Sequence, residues 1–166
     1  MENMFQKILI IGSPGAGKST FARKLSALSG LPLVHLDLLW HNADRTCVPI
    51  EVFDARLDEV LKRKQWIIDG NYTRTMRKRL ESCDTVFFLD YPLDVCLAGV
   101  ESRIGKPRPD MPWIEQEFDE EFRQYIIGFP RERVPMIYKM LEEYKESKRI
   151  IIMKSREDAE SYLRER

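Results

Sequence analysis

The sequence predicts an α/β protein, in which a parallel sheet carries helices on both faces. Five short apolar runs alternate with segments whose apolar residues recur at helical spacing. Acidic residues follow three of these runs, and a glycine-rich stretch separates the first run from the first helical segment. Alternating strands and helices form parallel sheets, which bind ligands beyond the carboxyl ends of their strands. We therefore expect a site where the glycine-rich stretch and the three acids meet.

The glycine-rich stretch matches the phosphate-binding pattern G-x-x-x-x-G-K-[ST] at every fixed position. Its glycines permit a tight turn that points backbone N–H groups at phosphate oxygens, and the following helix adds the positive end of its dipole. Lys18 can reach the β- and γ-phosphates, and Ser19 can place its hydroxyl on Mg²⁺. The residues predicted to bind a nucleotide are Gly12, Ser13, Pro14, Gly15, Ala16, Gly17, Lys18, Ser19 and Thr20.

Local signals set the boundaries of the predicted elements. Gly30 ends the first helix, Pro49 and Pro92 suit helix starts, and Ser155 with Asp158 forms a variant of the capping box. The predicted strands are 7–11, 33–36, 65–69, 85–90 and 149–153. The predicted helices are 18–28, 49–64, 72–82, 92–104, 114–127, 131–144 and one that starts after 155, and 38–48 is predicted to be a loop.

The acids at the strand ends are candidates for the chemistry of the site. A phosphate-binding loop normally needs a second acid to hold Mg²⁺, and both Asp69 and Asp90 end an apolar strand. Asp90 precedes a predicted helix start, which favours a capping role, so Asp69 is the preferred metal residue. Asp37 could accept a proton from a substrate hydroxyl, or could be a solvated acid that opens a loop. The candidates for holding an acceptor are Asp37, Trp40, Asn71 and Arg74, although Trp40 could equally pack and Arg74 could lie on a solvated helix face.

A proline-broken segment lies between the fourth and fifth predicted strands. Residues 105–112 contain three prolines and a glycine, which exclude regular structure there. Arg103, Arg108 and Arg123 flank or occupy this part of the chain. Arginines on a closing segment can stabilise the charge that phosphoryl transfer places on equatorial oxygens. We therefore expect a lid at about 104–130, and a catalytic set of Lys18, Asp37, Arg103, Arg108 and Arg123.

The composition is typical of an ordinary globular chain. Lys plus Arg and Asp plus Glu both number 27, and a net charge of zero argues against a surface that coats nucleic acid. Three scattered cysteines favour reduced thiols over a disulfide or metal site. No apolar run approaches the ~20 residues of a membrane span, and no signal peptide is evident. We expect a single cytoplasmic domain over 1–166.

These motifs resemble the adenylate-kinase-like group of nucleoside and nucleotide kinases, which are P-loop proteins. The stretch 66–70 is similar to their third-strand pattern, whose Asp binds Mg²⁺ through water, and Arg103 falls where their lid begins with a phosphate-binding Arg. The resemblance implies a three-layer αβα P-loop NTPase fold with parallel strand order 2-3-1-4-5 and a small helical lid. It also implies a kinase that uses Mg²⁺ and ATP to phosphorylate a small-molecule or nucleotide acceptor.

Over nearly its full length the chain is also similar to small bacterial proteins labelled DNA topology modulation proteins. The matching stretches are 12–20, 35–37, 66–72, 108–111 and 122–123. That label suggests an alternative, a nucleotide-binding regulator that acts through a protein or DNA partner. The residues favour a small-molecule kinase, and direct DNA binding is disfavoured because the sequence has no recognisable DNA-binding motif. AMP is not a secure acceptor, because an AMP-binding Arg-Gly pattern is missing and the turn before Arg74 carries one extra residue.

Overall fold

This computed structural model describes residues 5–166, which contain five strands and eight helices. Strands β1 to β5 are Lys7–Gly12, Leu33–His35, Trp66–Asp69, Thr85–Leu89 and Arg149–Met153. Helices α1 to α8 are Lys18–Ser29, Leu36–Trp40, Ile50–Leu61, Thr73–Ser82, Leu93–Arg103, Glu120–Glu132, Val134–Tyr144 and Arg156–Arg164. None of these helices is long and apolar enough to cross a membrane. The expectation of no signal peptide rests partly on residues 1–4, which lie outside the described residues.

The strands form one parallel sheet in the order β2-β3-β1-β4-β5, which confirms the predicted fold class and strand order. Strand β1 is central and almost wholly buried, as a strand covered on both faces should be. Successive residues of β1 point to opposite faces, so Leu9 and Ile11 join one apolar cluster while Ile8 and Ile10 join the other. These two clusters are the cores between the sheet and its two helical layers.

The strand order decides which side chains meet at the carboxyl edge of the sheet. β3 lies between β1 and β2, and Asp69 is in register with Ile10 on one side and His35 on the other. β1 continues directly into the glycine-rich loop, and β2 continues directly into the helix that carries Asp37. The loop and the two acids therefore come together because three adjacent strands end side by side.

Two predicted element boundaries are wrong. Residues 36–40 form the short helix α2, where a strand end and a loop were predicted, so Asp37 lies in a first helical turn. The helix predicted over 114–127 begins only at Glu120 and runs to Glu132, with Pro130 inside it. The physical reason is a cap, since the Asp119 side chain accepts a hydrogen bond of 3.0 Å from the backbone N–H of Phe122.

Asp90 has a structural role, but it does not cap α5 as the sequence suggested. Its carboxylate accepts hydrogen bonds from the Tyr138 hydroxyl at 2.5 Å and from the Lys154 ammonium at 2.7 Å. Pro92 stands at the cap position of α5. Asp90 therefore joins the end of β4 to α7 and to the end of β5.

Helix α5 packs directly on the glycine-rich loop, and Gly99 lies against Gly15 of that loop. A Cβ added at Gly99 would lie 2.1 Å from the backbone oxygen of Gly15, whereas one added at Gly128 in α6 would meet only the flexible Glu132 side chain at 3.3 Å. Both glycines are inside helices, where Ala is favoured by about 1 kcal/mol.

We expect Gly99→Ala to lower the free energy of unfolding by about 1–3 kcal/mol, because the loop must move to admit the methyl group. The matched variant Gly128→Ala should be neutral or stabilising. Urea unfolding of both variants checks this, and equal stability of the two would contradict the close contact between α5 and the loop.

Candidate functional site

A cleft of about 1140 Å³ opens at the carboxyl edge of the sheet. The glycine-rich loop and the end of β3 line its floor, α2 lines one wall, and the segment 102–119 covers it. Pockets for one small ligand usually measure about 300–1,000 Å³. This cleft is therefore larger than a pocket for one small ligand usually is.

Lys18 is a half-buried cation at the floor of the cleft. Its ammonium donates hydrogen bonds to the backbone oxygens of Gly12 at 2.9 Å and Ser13 at 3.1 Å. Burial lowers the pKa of Lys18 to about 8, although the carboxylates of Asp69 and Asp37 oppose the shift. The lysine therefore lies within electrostatic reach of both acids. The negative charge of a phosphate group in the cleft would compensate for the desolvation of the amine.

Asp69 and His35 form a buried pair at the ends of β3 and β2. His35 Nδ1 lies 2.9 Å from an oxygen of Asp69. Burial disfavours the charged imidazole, but the hydrogen bond to the Asp69 carboxylate and the negative charge of that carboxylate together outweigh burial and raise the pKa of His35. The pairing fixes the orientation of the Asp69 carboxylate at the cleft floor.

Ser19 and Asp69 carry the side-chain oxygens that could bind a divalent cation. The Ser19 hydroxyl accepts a hydrogen bond of 2.7 Å from Arg23, one helical turn away. Within residues 5–166, no group of three or more His, Cys, Asp and Glu side chains could hold a metal by itself. Mg²⁺ usually takes one or two protein oxygens and completes its shell with water and phosphate, so a hydroxyl and a carboxylate fit this ion.

Asp37 faces the cleft from the first turn of α2. Its carboxylate accepts a hydrogen bond of 2.5 Å from the hydroxyl of Tyr72. Burial, and then the negative charge of Asp37, raises the pKa of Tyr72 far above its usual value, so this hydroxyl remains a donor. The arrangement leaves a carboxylate held in place beside the phosphate-binding loop.

Two of the three predicted lid arginines line the cleft. Arg103 lies 3.6 Å from Glu115, and Arg108 lies 3.4 Å from Glu115 and 3.8 Å from Asp110. Burial, together with the neighbouring Arg108, lowers the pKa of Arg103. Arg123 instead pairs with Glu101 at 3.4 Å on the outer side, and the structure does not place it among the residues lining the described cleft.

Trp113 belongs to the covering segment 102–119 and contacts the loop after α2. The guanidinium of Arg45 lies 5.2 Å from the centre of the Trp113 ring, and His41 contacts the same ring edge-on at 6.0 Å. Arg45 also donates to the backbone oxygen of Ile114 at 3.3 Å. Sequence reasoning missed His41, Arg45 and Trp113 as a group, because Trp113 is far from the other two in the chain and the three share no motif.

Most of the predicted site residues line the cleft. They are Pro14, Gly15, Gly17, Lys18, Ser19, Thr20, Asp37, Asp69, Asn71, Arg103 and Arg108. Within residues 5–166, Trp40 and Arg74 are not among the residues that line the cleft. Trp40 packs edge-on against Phe53 with ring centres 5.6 Å apart, and Arg74 forms an exposed ion pair of 2.6 Å with Asp54.

Asn71 contacts the glycine-rich loop, which the sequence did not indicate. Its side-chain oxygen accepts from the Gly12 N–H at 3.1 Å, and its amide nitrogen donates to the Gly12 oxygen at 2.6 Å. Both ends of the Asn71 amide are thus engaged by the backbone of one residue, Gly12. Gly12 O also accepts from Lys18, which links Asn71 to this cation.

Comparison with curated proteins finds two relatives among the adenylate kinases. Those from Thermotoga petrophila and Thermotoga maritima are each 26% identical to this chain over 98 residues. The match covers 57% of this chain and 44% of each kinase, so the chain spans less than half the length of these relatives. No family model matches the chain. The resemblance to DNA topology modulation proteins is not confirmed by these comparisons.

Solved structures show the same architecture over nearly the whole chain. A shikimate kinase from Acinetobacter baumannii in complex with shikimate has a TM-score of 0.63 at 20% identity, covering 98% of this chain and 90% of that one. A shikimate kinase from Bacteroides thetaiotaomicron has a TM-score of 0.58 at 17% identity, covering 97% and 95%. A gluconokinase from Sinorhizobium meliloti 1021 has a TM-score of 0.55 at 14% identity, covering 96% and 92%. The chain therefore has the P-loop kinase fold.

Proposed function

We propose that this protein is a kinase that uses Mg²⁺ and ATP to phosphorylate a hydroxyl group of a small molecule. The observation that carries the proposal is the placement of Asp37 in one cleft with Lys18 and Asp69. A purely nucleotide-binding protein needs the loop and a metal residue, but it does not need a second oriented carboxylate beside them. The names of the shikimate kinase and the gluconokinase that share the fold point the same way, and the adenylate kinase relatives support phosphoryl transfer in general.

On the donor side, the loop amides and Lys18 bind the β- and γ-phosphates. Ser19 and Asp69 would hold Mg²⁺, and that ion would neutralise phosphate charge. Their hydroxyl and carboxylate oxygens suit this ion, and His35 keeps the Asp69 carboxylate in place. The contribution of the protein at this end is positioning and electrostatic stabilisation.

On the acceptor side, Asp37 accepts the proton of the attacking hydroxyl. The acceptor oxygen forms a bond to the γ-phosphorus while the bond to the β–γ bridging oxygen breaks, and ADP leaves. Arg103 and Arg108 stabilise the charge of the transferring group, and the segment 104–130 acts as the lid that excludes water. Arg123 supports this lid through Glu101 rather than touching the phosphate. The free thiols and ATP as donor fit a cytoplasmic enzyme.

The pKa of Lys18 predicts how nucleotide affinity depends on pH. Phosphate groups bind the protonated amine, and the pKa of that amine in the free protein is about 8. The Kd for Mg²⁺·ATP should be constant below about pH 7 and should rise by up to about tenfold per unit above pH 8, because binding must then take up a proton. Calorimetric titration across this range checks the prediction. Lys18→Met should bind weakly at every pH without this dependence, and an unchanged wild-type Kd from pH 7 to pH 9.5 would contradict it.

The test of the proposed function is ADP release from Mg²⁺·ATP with a panel of sugars, sugar acids, nucleosides and nucleotides. Strong acceleration by one compound, with its phosphorylated form detected by mass spectrometry, would establish the kinase and name its acceptor. Tight ATP binding with no acceleration by any compound would favour the regulatory alternative, and the search would turn to a macromolecular partner.

A further inference from the structure

Arg79 on α4 is a completely buried cation that pairs with no carboxylate of residues 5–166. Its guanidinium donates to three consecutive backbone oxygens instead. They are Gly70 O at 2.9 Å, Asn71 O, and Tyr72 O at 3.0 Å. Nε donates to the Thr75 hydroxyl at 3.2 Å, which completes the set. Burial lowers the pKa of Arg79 to about 9, so the side chain remains a cation at neutral pH.

The three oxygens belong to the turn between β3 and α4, residues 70–72. Tyr72 within this turn has a φ of 37°, in the left-handed region that a non-glycine residue adopts at a cost. Three carbonyl dipoles that converge in a poorly hydrated place repel one another unless a cation lies between them. The planar fork of Arg79 supplies that cation, so the shape of the turn depends on it.

The turn sends two side chains into opposite halves of the site. Asn71 binds both backbone polar groups of Gly12, its N–H and its C=O, and Gly12 O is also an acceptor for Lys18. The next residue, Tyr72, donates its hydroxyl to Asp37. One short turn thus contacts the phosphate-binding loop through Asn71 and the carboxylate of Asp37 through Tyr72.

We propose that Arg79 is a positioning residue that holds the nucleotide half and the acceptor half of the cleft in fixed relation. It acts through Asn71 on the glycine-rich loop and through Tyr72 on Asp37. Arg79 and the turn 70–72 that it holds are called the brace below. The effect of the brace on catalysis rests on the proposed function, but the existence of the brace does not depend on which acceptor is used. The alternative is a residue that only stabilises the fold.

Amide hydrogen exchange of the ligand-free protein separates the two roles. The Gly12 N–H is held by Asn71, whereas the Ile10 N–H lies in the central strand and reports global unfolding. In Arg79→Lys, which keeps the charge and loses the fork, the ratio of the Gly12 rate to the Ile10 rate should rise about tenfold, the effect of one lost hydrogen bond.

Met76→Ala is the matched control, since Met76 is buried on the same helix and outside the brace. It should raise both exchange rates together and leave their ratio unchanged. Thr75→Val is a second variant in case Arg79→Lys does not fold. It removes the acceptor of Nε and also the hydrogen bond of 3.2 Å that the Thr75 hydroxyl donates to Tyr72 O, and its ratio should rise about threefold. An unchanged ratio in the folded Arg79 or Thr75 variant, or an equal rise in Met76→Ala, would overturn the inference.

Binding and turnover then show whether the brace matters for catalysis. Asn71→Ala should weaken Mg²⁺·ATP binding about tenfold, and combining it with Arg79→Lys should weaken binding little further, because both act on Gly12. Tyr72→Phe should leave ATP binding unchanged and raise the KM of the acceptor. A wild-type protein that binds no ATP would refute the proposed function. The exchange ratio would still show whether Arg79 holds the turn 70–72. An active kinase with an unaffected ratio would refute the brace alone.

Discussion

Lys18→Met is expected to lower kcat by about 10³-fold or more while leaving the protein at least as stable as the wild type. The two effects have one cause. Lys18 is a half-buried charge whose desolvation lowers its pKa to about 8, and it is held by backbone oxygens rather than by a close carboxylate. Such a group costs stability in the free protein and is retained for what it does to phosphate. The thermal unfolding temperature should therefore stay constant or rise when the charge is removed.

The measurements are ADP release and thermal unfolding, followed by circular dichroism on the same samples. Lys24→Met is the matched control, because Lys24 lies on the same helix and forms an exposed pair of 2.6 Å with Glu160. That variant should keep full turnover. Normal turnover in Lys18→Met, with an unchanged spectrum, would contradict the assignment of the site.

Asp37→Asn is expected to lower acceptor phosphorylation by about 10²–10⁴-fold, the usual contribution of a general base. The amide oxygen can still accept the Tyr72 hydroxyl, so the local structure should survive. Since Asp37 lies on the acceptor side, the Kd for Mg²⁺·ATP should change by no more than about threefold, a fraction of one hydrogen bond.

Steady-state kinetics with the identified acceptor, together with ATP titration, checks this second expectation. Asp54→Asn is the control, because Asp54 forms its ion pair with Arg74 on the surface of the protein. Unchanged transfer in Asp37→Asn would remove Asp37 from the chemistry. A parallel loss of ATP binding would mean that Asp37 shapes the donor site instead.

The sheet and the phosphate-binding loop could be predicted because their signals are local. A continuous apolar run such as 8–11 is needed wherever a strand is covered on both faces, and the glycine pattern specifies both the loop and the following helix. The strand order came from a resemblance, and the register of Asp69 beside Ile10 and His35 agrees with it. The helix after the proline-broken segment was placed too early, because Asp119 was not recognised as its cap.

The contacts of the polar side chains could not be predicted, because their partners lie far away in the chain. Arg74 on α4 pairs with Asp54, and its neighbours Arg77 and Lys78 pair with Glu143 and Asp58. Arg79 follows directly and is buried, since one residue on a helix turns the side chain by about 100°. A signal was present, because Met76 and Leu80 mark the buried face of α4 and Arg79 lies beside Leu80. A lone Arg on that face indicates burial, but its carbonyl partners are visible only in the structure.

The most direct test of phosphoryl transfer is to follow the γ-phosphate itself. Mg²⁺·ATP labelled with ¹⁸O at the γ-phosphate would be incubated with the protein and the acceptor panel. The masses of the products would then be measured by mass spectrometry. The proposed function predicts one new phosphorylated compound that carries the labelled phosphate, and its absence in Lys18→Met. Labelled inorganic phosphate as the sole product, at the same rate with every compound, would contradict the kinase.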